Sequence, residues 1–108
     1  MTQFDDRERA FETKFARDEE MQFRITARRN RLLGEWAGRL MGLTEIEAES
    51  YAKDVIRADF EEAGDDDVVR KLLGDLTAAG IDTDEDRIRE ALNHKQVEAR
   101  RQMIESSK

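Results

Sequence analysis

The chain contains no cysteine and no proline, and aromatic residues occupy only 6% of its 108 positions. The absence of cysteine excludes a disulfide scaffold, a thiolate metal site and a cysteine nucleophile. The absence of proline leaves long helices uninterrupted, and the abundant alanine, leucine, arginine and glutamate favour helix formation. No apolar run approaches the roughly 18 residues that a membrane-spanning helix requires, so we expect no direct membrane insertion.

Charged side chains are what the chain has in excess. They fill 42% of positions, and 26 acidic residues against 19 basic ones give a formal net charge of −7. This balance argues against a general binder of nucleic acid or of anionic membranes, because phosphate groups repel a negative surface. The first residues lack the basic-then-apolar order of a secretory signal, so we expect a cytoplasmic protein.

Apolar residues at helical spacing predict four helices, the first running from about Asp18 to Met41. Connections of about 2–5 residues place neighbouring helices antiparallel, which predicts an all-α fold, a four-helix bundle. The residues predicted to face inward are, helix by helix, Met21, Ile25, Leu32, Leu33, Trp36, Ala37 and Leu40; Ala48, Tyr51, Ala52, Val55, Ile56 and Phe60; Val68, Val69, Leu72, Leu73, Leu76 and Ala79; and Ile88, Ala91, Leu92, Ala99 and Met103.

A capping box and several glycines mark the helix boundaries. Thr44 and Glu47 have the spacing of an N-cap residue and of the side chain that bonds back to it. Gly34 and Gly38 lie inside the first helix, where each costs about 1 kcal/mol of helix propensity. They therefore predict a close approach by another backbone, either of the bundle or of a partner. The glycines predicted to end helices in the left-handed conformation are Gly42, Gly64 and Gly80.

The first 17 residues differ from the rest of the chain. Phe4, Phe11 and Phe15 form a narrow apolar line on an otherwise charged segment. An isolated amphipathic segment of about this length is only marginally helical in water. We therefore divide the chain into a flexible amphipathic N-terminal arm, residues 1–17, which becomes helical against a partner, and a bundle, residues 18–105. Docking of the phenylalanine line on the chain's own bundle is the alternative.

Charge is unevenly placed along the bundle. Residues 21–34 contain four arginines and no acidic residue, whereas residues 44–67 contain ten acidic side chains and two basic ones. The first interpretation is mutual neutralisation inside the bundle. The second is a basic strip that binds a phosphate group or an acidic partner surface.

Catalytic and metal-binding patterns are weak or missing. The glycines form no phosphate-binding loop, and His94 is the only histidine. Asp82, Asp84 and Asp86 have the spacing of the first three ligands of a calcium loop, but the glycine and glutamate that such a loop requires are replaced by arginine and asparagine. We therefore predict no enzyme and no metal site.

Several contiguous blocks of the sequence resemble one known family, the ATP synthase zeta subunits of alphaproteobacteria. The resemblance is densest before Gly64 and weakest after Gly80. The matching blocks are residues 4–12, 14–16, 18–20, 27–34, 36–37, 51–55 and 57–64.

The resemblance implies a natural inhibitor of F1-ATPase that folds as a four-helix bundle. In this family an amino-terminal arm inserts at a catalytic α/β interface near the central stalk and blocks rotation in the ATP-hydrolysis direction. The implied partners are therefore the α, β and γ subunits of F1-ATPase. The resemblance places the inhibitory segment at residues 2–19, and implies a free monomer that becomes peripheral at the inner membrane when it is bound to ATP synthase.

Seven arm residues are the predicted partner contacts. The three phenylalanines would be buried in a cleft present at one catalytic stage, and the cations would meet acidic or carbonyl groups at its rim. These residues are Phe4, Arg7, Arg9, Phe11, Lys14, Phe15 and Arg17.

Two other hypotheses compete with the inhibitor. Arg28, Arg29 and Arg31, beside Trp36, offer charge and stacking to ADP or ATP, which predicts a small nucleotide-sensing regulatory module. A regulator of ATP synthase could also bind nucleotide, so the two hypotheses are compatible. The third is a helical adaptor for an unrelated partner. No other cofactor is predicted.

Overall fold

The computed structural model describes residues 19–61 and 65–106, which form four α-helices and contain no strand. The helices are α1 (Glu19–Leu40), α2 (Glu45–Glu61), α3 (Asp66–Ala78) and α4 (Glu85–Ser106). The predicted all-α, four-helix fold is therefore confirmed. Asp18 and Gly64, the predicted start of the first helix and end of the second, lie outside the described residues, as does the arm, so the boundary between arm and bundle stays a prediction.

The predicted capping box begins α2. The Glu47 backbone N–H donates to Thr44 Oγ1 at 3.2 Å, and the Thr44 N–H donates to Glu47 Oε1 at 3.0 Å. The hydrogen bond from the Thr44 backbone lowers the pKa of Glu47. Gly42 and Gly80, with φ of +76° and +81°, follow α1 and α3 in the left-handed conformation. These local signals were read correctly from the sequence.

Gly34 and Gly38 bring two helix backbones into contact. A Cβ atom added at Gly34 would lie 2.5 Å from the Cα of Ala52, and one at Gly38 would lie 3.0 Å from the Cβ of Ala48. The second contact lies four residues later in α1 than the first contact but four residues earlier in α2, so the two helices are antiparallel. The approaching backbone predicted from these glycines is therefore that of α2.

Gly34→Ala tests this close approach. We expect the substitution to lower the free energy of unfolding by about 2 kcal/mol, because overpacking costs about 3 kcal/mol and helix propensity returns about 1 kcal/mol. Gly74, in α3, is the matched control, since an added Cβ there meets nothing within 4 Å. Gly74→Ala should stabilise the protein by about 0.5–1 kcal/mol. Urea unfolding followed by circular dichroism measures both, and a Gly34→Ala protein as stable as the Gly74→Ala protein would contradict the packing.

The core lies between α1 and the other three helices. Of the described helices, α1 contacts each of the others, whereas α2 and α4 do not contact each other. Trp36, Met41, Tyr51 and Leu73 are partly buried against this core. The fully enclosed cluster consists of Leu33, Ala37, Val55, Val68, Val69, Leu72, Leu76, Ile88 and Leu92.

α1 and α4 are antiparallel. Arg29 Nη1 donates to Gln96 Oε1 at 3.3 Å near the middle of both helices. Leu33, after Arg29, shares the core cluster with Leu92, before Gln96. The buried residues before Arg29 in α1 and after Gln96 in α4 lie outside that cluster. The carboxyl half of α4 therefore lies beside the amino half of α1.

Two residues predicted to face inward are exposed. Leu40 is 43% exposed because it is the last residue of α1, and Ala79 is exposed because it follows the end of α3. The side chain of Phe60 lies outside the described part of the chain. Each of the four described helices is too short or too polar to span a bilayer.

Candidate functional site

The residues predicted to contact a partner all precede α1. They lie outside the described residues, so their role stays a prediction. The structure places Glu19, two residues after the arm, at the start of α1. The residues concerned are Phe4, Arg7, Arg9, Phe11, Lys14, Phe15 and Arg17.

A buried polar cluster surrounds Arg29, whose side chain is 5% exposed. Its Nη1 lies 3.0 Å from Asp65 Oδ1, and its Nη2 lies 3.7 Å from Asp59 Oδ1. Its Nε donates to Asn30 Oδ1 at 3.1 Å, and its Nη1 also donates to Gln96 Oε1. One guanidinium group therefore joins α1 to the last turn of α2, to the residue before α3 and to α4.

The cluster ties the last turn of α2 to the residue that precedes α3. Asp65 is the N-cap residue of α3, but its side chain makes no capping hydrogen bond, since its carboxylate pairs with Arg29 instead. At 3.7 Å the contact between Arg29 Nη2 and Asp59 is an ion pair too long for a hydrogen bond. Arg29 Nη2 and Asn30 Nδ2 are buried without a hydrogen-bond acceptor among the described residues. The cluster therefore holds α2 and the start of α3 to α1, but the two buried donors without acceptors cost free energy of folding.

Asp59 is the member of the cluster whose negative charge is destabilised by burial. Burial raises the pKa of the Asp59 carboxyl, and the nearby charge of Asp65 raises it further, whereas the charge of Arg29 and the nearby amide of Asn30 lower it. The net shift is upward, so desolvation outweighs the attraction of the arginine. The charged form of Asp59 is less stable in the folded chain than in the unfolded chain.

Asp59→Asn therefore should not destabilise the bundle at neutral pH. A carboxyl with a raised folded pKa adds stability at acid pH that is lost as the pH rises through that pKa, which lies above 3.8. We expect Asp59→Asn to unfold at pH 7 with a free energy equal to or above that of the wild type, and to reduce the loss of stability between acid and neutral pH.

The matched control is Asp65→Asn, which removes the closer ion pair. Asp65 is 47% exposed, so solvent screening limits the expected loss to about 1 kcal/mol. Urea unfolding at several pH values measures both variants. A loss of several kcal/mol for Asp59→Asn at pH 7 would contradict the account of its desolvation.

The residues predicted to bind nucleotide do not share one environment. Arg28 and Arg31 are exposed, Trp36 is partly buried against the core, and Arg29 is held by carboxylates inside the bundle. A nucleotide on the surface of α1 would therefore meet Arg28 and Arg31 rather than Arg29. Nucleotide binding stays a prediction, which chemical-shift titration with ADP and ATP tests.

The burial of Arg29 is what the sequence interpretation missed. The first interpretation of the charge pattern, mutual neutralisation inside the bundle, does hold at this residue, which pairs with Asp59 and Asp65. A signal was present in the spacing, since Arg29 lies four residues after Ile25 and four before Leu33, both of which are buried. A charged residue is buried in line with an apolar stripe only where it is paired, so this spacing points to an internal ion pair.

A second polar contact joins α2 to α3. Tyr51 Oη donates to Asp75 Oδ2 at 2.7 Å, and Lys71 Nζ lies 3.1 Å from the same oxygen and 5.2 Å from the centre of the Tyr51 ring. Burial raises the pKa of Tyr51 strongly, and the hydrogen bond to Asp75 adds to the shift. The phenol therefore stays protonated and acts as a structural donor.

The remaining candidates from the sequence are His94 and the aspartates within residues 82–86. His94 is exposed on α4, as predicted. The Asp84 carboxylate accepts a hydrogen bond from the Arg87 backbone N–H at 2.9 Å, which is the bond of a helix N-cap. Within residues 19–61 and 65–106, no three histidine, cysteine or acidic side chains are placed to hold a metal ion.

Comparisons with known proteins identify the family. The model of the family described as ATPase inhibitor subunit zeta matches residues 1–102. Among solved structures, one determined by solution NMR is 41% identical in sequence, aligns with 80% of this chain and 98% of its own, and superposes with a TM-score of 0.71. No curated protein sequence matches the chain. This chain therefore belongs to the family of the ATPase inhibitor subunit zeta.

Proposed function

We propose that the protein inhibits F1-ATPase by inserting its arm, residues 1–17, at a catalytic α/β interface and blocking rotation in the hydrolysis direction. The observation that carries this proposal is the family match, which begins at residue 1 and so includes the arm. The α, β and γ subunits of F1-ATPase are the proposed partners. The free protein is a cytoplasmic monomer, and it becomes peripheral at the inner membrane when it is bound.

The width of the bundle supports separate roles for the arm and the bundle. A single helix is about 10–12 Å across, so a cleft between two subunits can admit one. α1 is packed against three other helices, which makes the bundle too wide to follow the arm into such a cleft. The arm therefore occupies the cleft, and the bundle acts as a stop outside it.

The chemistry of the arm suits a cleft that exists at one stage of the catalytic cycle. Each buried phenylalanine contributes about 1.5–3 kcal/mol, and ordering of the arm offsets part of this gain. The arginines and the lysine of the arm contribute more to its orientation at the rim of the cleft than to its affinity. The arm must bind one rotary state more tightly than the others, because a ligand with equal affinity for all states does not arrest the cycle.

Replacement of Phe11 and Phe15 by alanine tests this mechanism. The loss of two buried rings, about 3 kcal/mol in total, should raise the concentration for half-inhibition of ATP hydrolysis about 100-fold. The melting temperature should stay that of the wild type. Ile46→Ala is the control, since this side chain is 81% exposed at the far end of the α1–α2 hairpin, and it should leave inhibition unchanged.

The same variants distinguish the proposed role of the arm from docking of the arm on the chain's own bundle. If the phenylalanine line packs on the chain's own bundle, replacing both rings lowers the melting temperature by many degrees, which contradicts the proposed role. Capture of partners from an extract of the source organism separates the inhibitor from a general adaptor. The α and β subunits of F1-ATPase should dominate, and another dominant partner would favour the adaptor.

A further inference from the structure

The start of α1 extends past two of the other three helices. The antiparallel register of α1 and α2 places Glu61, the last residue of α2, opposite Ile25. Just before α3 begins, Asp65 pairs with Arg29, and α3 then runs beside the middle of α2, away from the start of α1. Of the described helices, α4 is therefore the one that continues beside the first turns of α1.

This end of the bundle has a buried apolar contact of its own. Ile25 of α1 and Ala99 of α4 are 1% and 0% exposed, although neither belongs to the core cluster. The hydrogen bond between Arg29 and Gln96 sets the register of the two helices. Ile25 lies four residues before Arg29, and Ala99 lies three residues after Gln96. Because the helices are antiparallel, these spacings place Ile25 and Ala99 at the same level on the facing sides.

The direction of Ile25 agrees with this register. It precedes Gly34, which contacts α2, by nine residues, or about two and a half turns, so it lies on the side of α1 that faces away from α2. One turn closer to the arm than Ile25 and Ala99, each helix carries a partly buried methionine, Met21 in α1 and Met103 in α4. The contact between α1 and α4 therefore continues toward the arm beyond the core cluster.

The physical effect of this contact is to keep the start of α1 helical. Residues 19–25 make only about two turns, and an isolated helix shorter than about 12–15 residues is marginal in water. Forming a first helical turn is the unfavourable step, with a nucleation factor of about 10⁻³, whereas each further residue adds to a helix at little cost. A start of α1 that α4 holds in place is therefore a formed helix end, which a neighbouring segment can lengthen.

We propose that Ile25 and Ala99 are positioning residues for inhibition. They hold the start of α1 helical against α4, and the arm lengthens this helix when it enters the cleft of F1-ATPase. This inference rests on the proposed function. Because Ile25 is buried, it acts through α1 and does not touch the enzyme. The arm then folds on binding without nucleating a helix of its own, which lowers the cost of ordering it.

Ile25→Ala tests this role, because it removes apolar contact at the start of α1 and keeps a high helix propensity. The concentration for half-inhibition of ATP hydrolysis should rise about tenfold, which is part of the roughly 10³-fold nucleation factor. Hydrogen exchange at the backbone amides of residues 23–28 should become faster, because this end of α1 opens more easily. Ala99→Gly, on the facing helix, is a milder variant that should change both measurements in the same direction.

Ile88→Ala is the matched control. Ile88 is 0% exposed in the core cluster, so the same substitution lowers the stability of the whole bundle but leaves the contact beside the arm in place. At a temperature where circular dichroism shows both alanine variants to be folded, Ile88→Ala should inhibit as the wild type does, and exchange at residues 23–28 should not change. Ile25→Val, which keeps most of the apolar contact, should restore most of the inhibition.

Three results would overturn the positioning role while the wild type still inhibits. The first is an equal loss of inhibition in Ile25→Ala and Ile88→Ala, which would assign the effect to overall stability. The second is unchanged inhibition by Ile25→Ala, and the third is a loss of inhibition by Ile25→Ala without faster exchange at residues 23–28. A wild type that fails to inhibit overturns the proposed function, and this inference with it.

Discussion

Deletion of residues 1–17 will leave a folded bundle that no longer inhibits ATP hydrolysis. The enclosed cluster lies between Leu33 and Leu92, and the other buried apolar residues, such as Ile25 and Ala99, also follow the arm, so the truncated chain keeps this core and should keep its helical circular dichroism. Inhibition is lost because the bundle is too wide for a cleft that one helix fills.

The arm supplied as a separate peptide is the control for this deletion. A peptide of residues 1–17 should inhibit only at much higher concentration than the whole protein, because it has lost the bundle that acts as a stop outside the cleft. Hydrolysis assays on one F1-ATPase preparation compare the three proteins. Full inhibition by the truncated bundle would contradict the role assigned to the arm.

Arg29→Met will be the most destabilising single substitution considered for the bundle. It leaves the carboxylate of Asp59 and the amide of Asn30 buried without the cation they face, and removal of one partner of a buried ion pair costs about 3–5 kcal/mol. A domain of this size has about 5–15 kcal/mol of total stability. The variant should therefore unfold at far lower urea concentration than the wild type.

Its neighbour in sequence provides the control. Arg28→Met changes an exposed side chain with no ion pair to a described residue, and it should change the free energy of unfolding by no more than about 0.5 kcal/mol. Adding Asp59→Asn to Arg29→Met should recover part of the loss, since the buried charge is then removed from both sides. Equal stability of the Arg28→Met and Arg29→Met proteins would show that Arg29 does not hold the helices together.

Local features of the fold were predictable from the sequence because their causes lie within a few residues. The capping box of Thr44 and Glu47 needs only its own spacing, and Gly42 ends α1 through its own backbone conformation. Gly34 predicted the close approach of another backbone, but the sequence did not show that Ala52 of α2 is the residue that approaches. The identity of a partner across the fold depends on how whole helices pack.

The buried cluster was missed for the same physical reason. Arg29 is stabilised by Asp59, Asp65 and Gln96, which are distant in the sequence and meet only in the folded protein. The exposure of Leu40 also depends on packing, since its side of the last turn of α1 is left uncovered, whereas Ala37 in the same turn is buried. Helix periodicity gives the face on which a residue lies, but not where the neighbouring helices stop.

The proposed inhibitory residues came from a different source. The phenylalanine line was visible as an apolar stripe that the bundle did not need, whereas the family resemblance supplied its partner. A segment that orders on binding has a conformation set by the partner's surface as well as by its own sequence. The sequence of the chain alone therefore indicates the arm but does not determine its bound structure.

Titration of the full-length protein into purified F1-ATPase from the same organism, with the rate of ATP hydrolysis as the readout, tests the central claim most directly. We predict that hydrolysis falls with added protein to a low plateau, and that the protein without residues 1–17 leaves the rate unchanged at the same concentrations. A hydrolysis rate that stays constant when the full-length protein is present in large excess over the enzyme would contradict it.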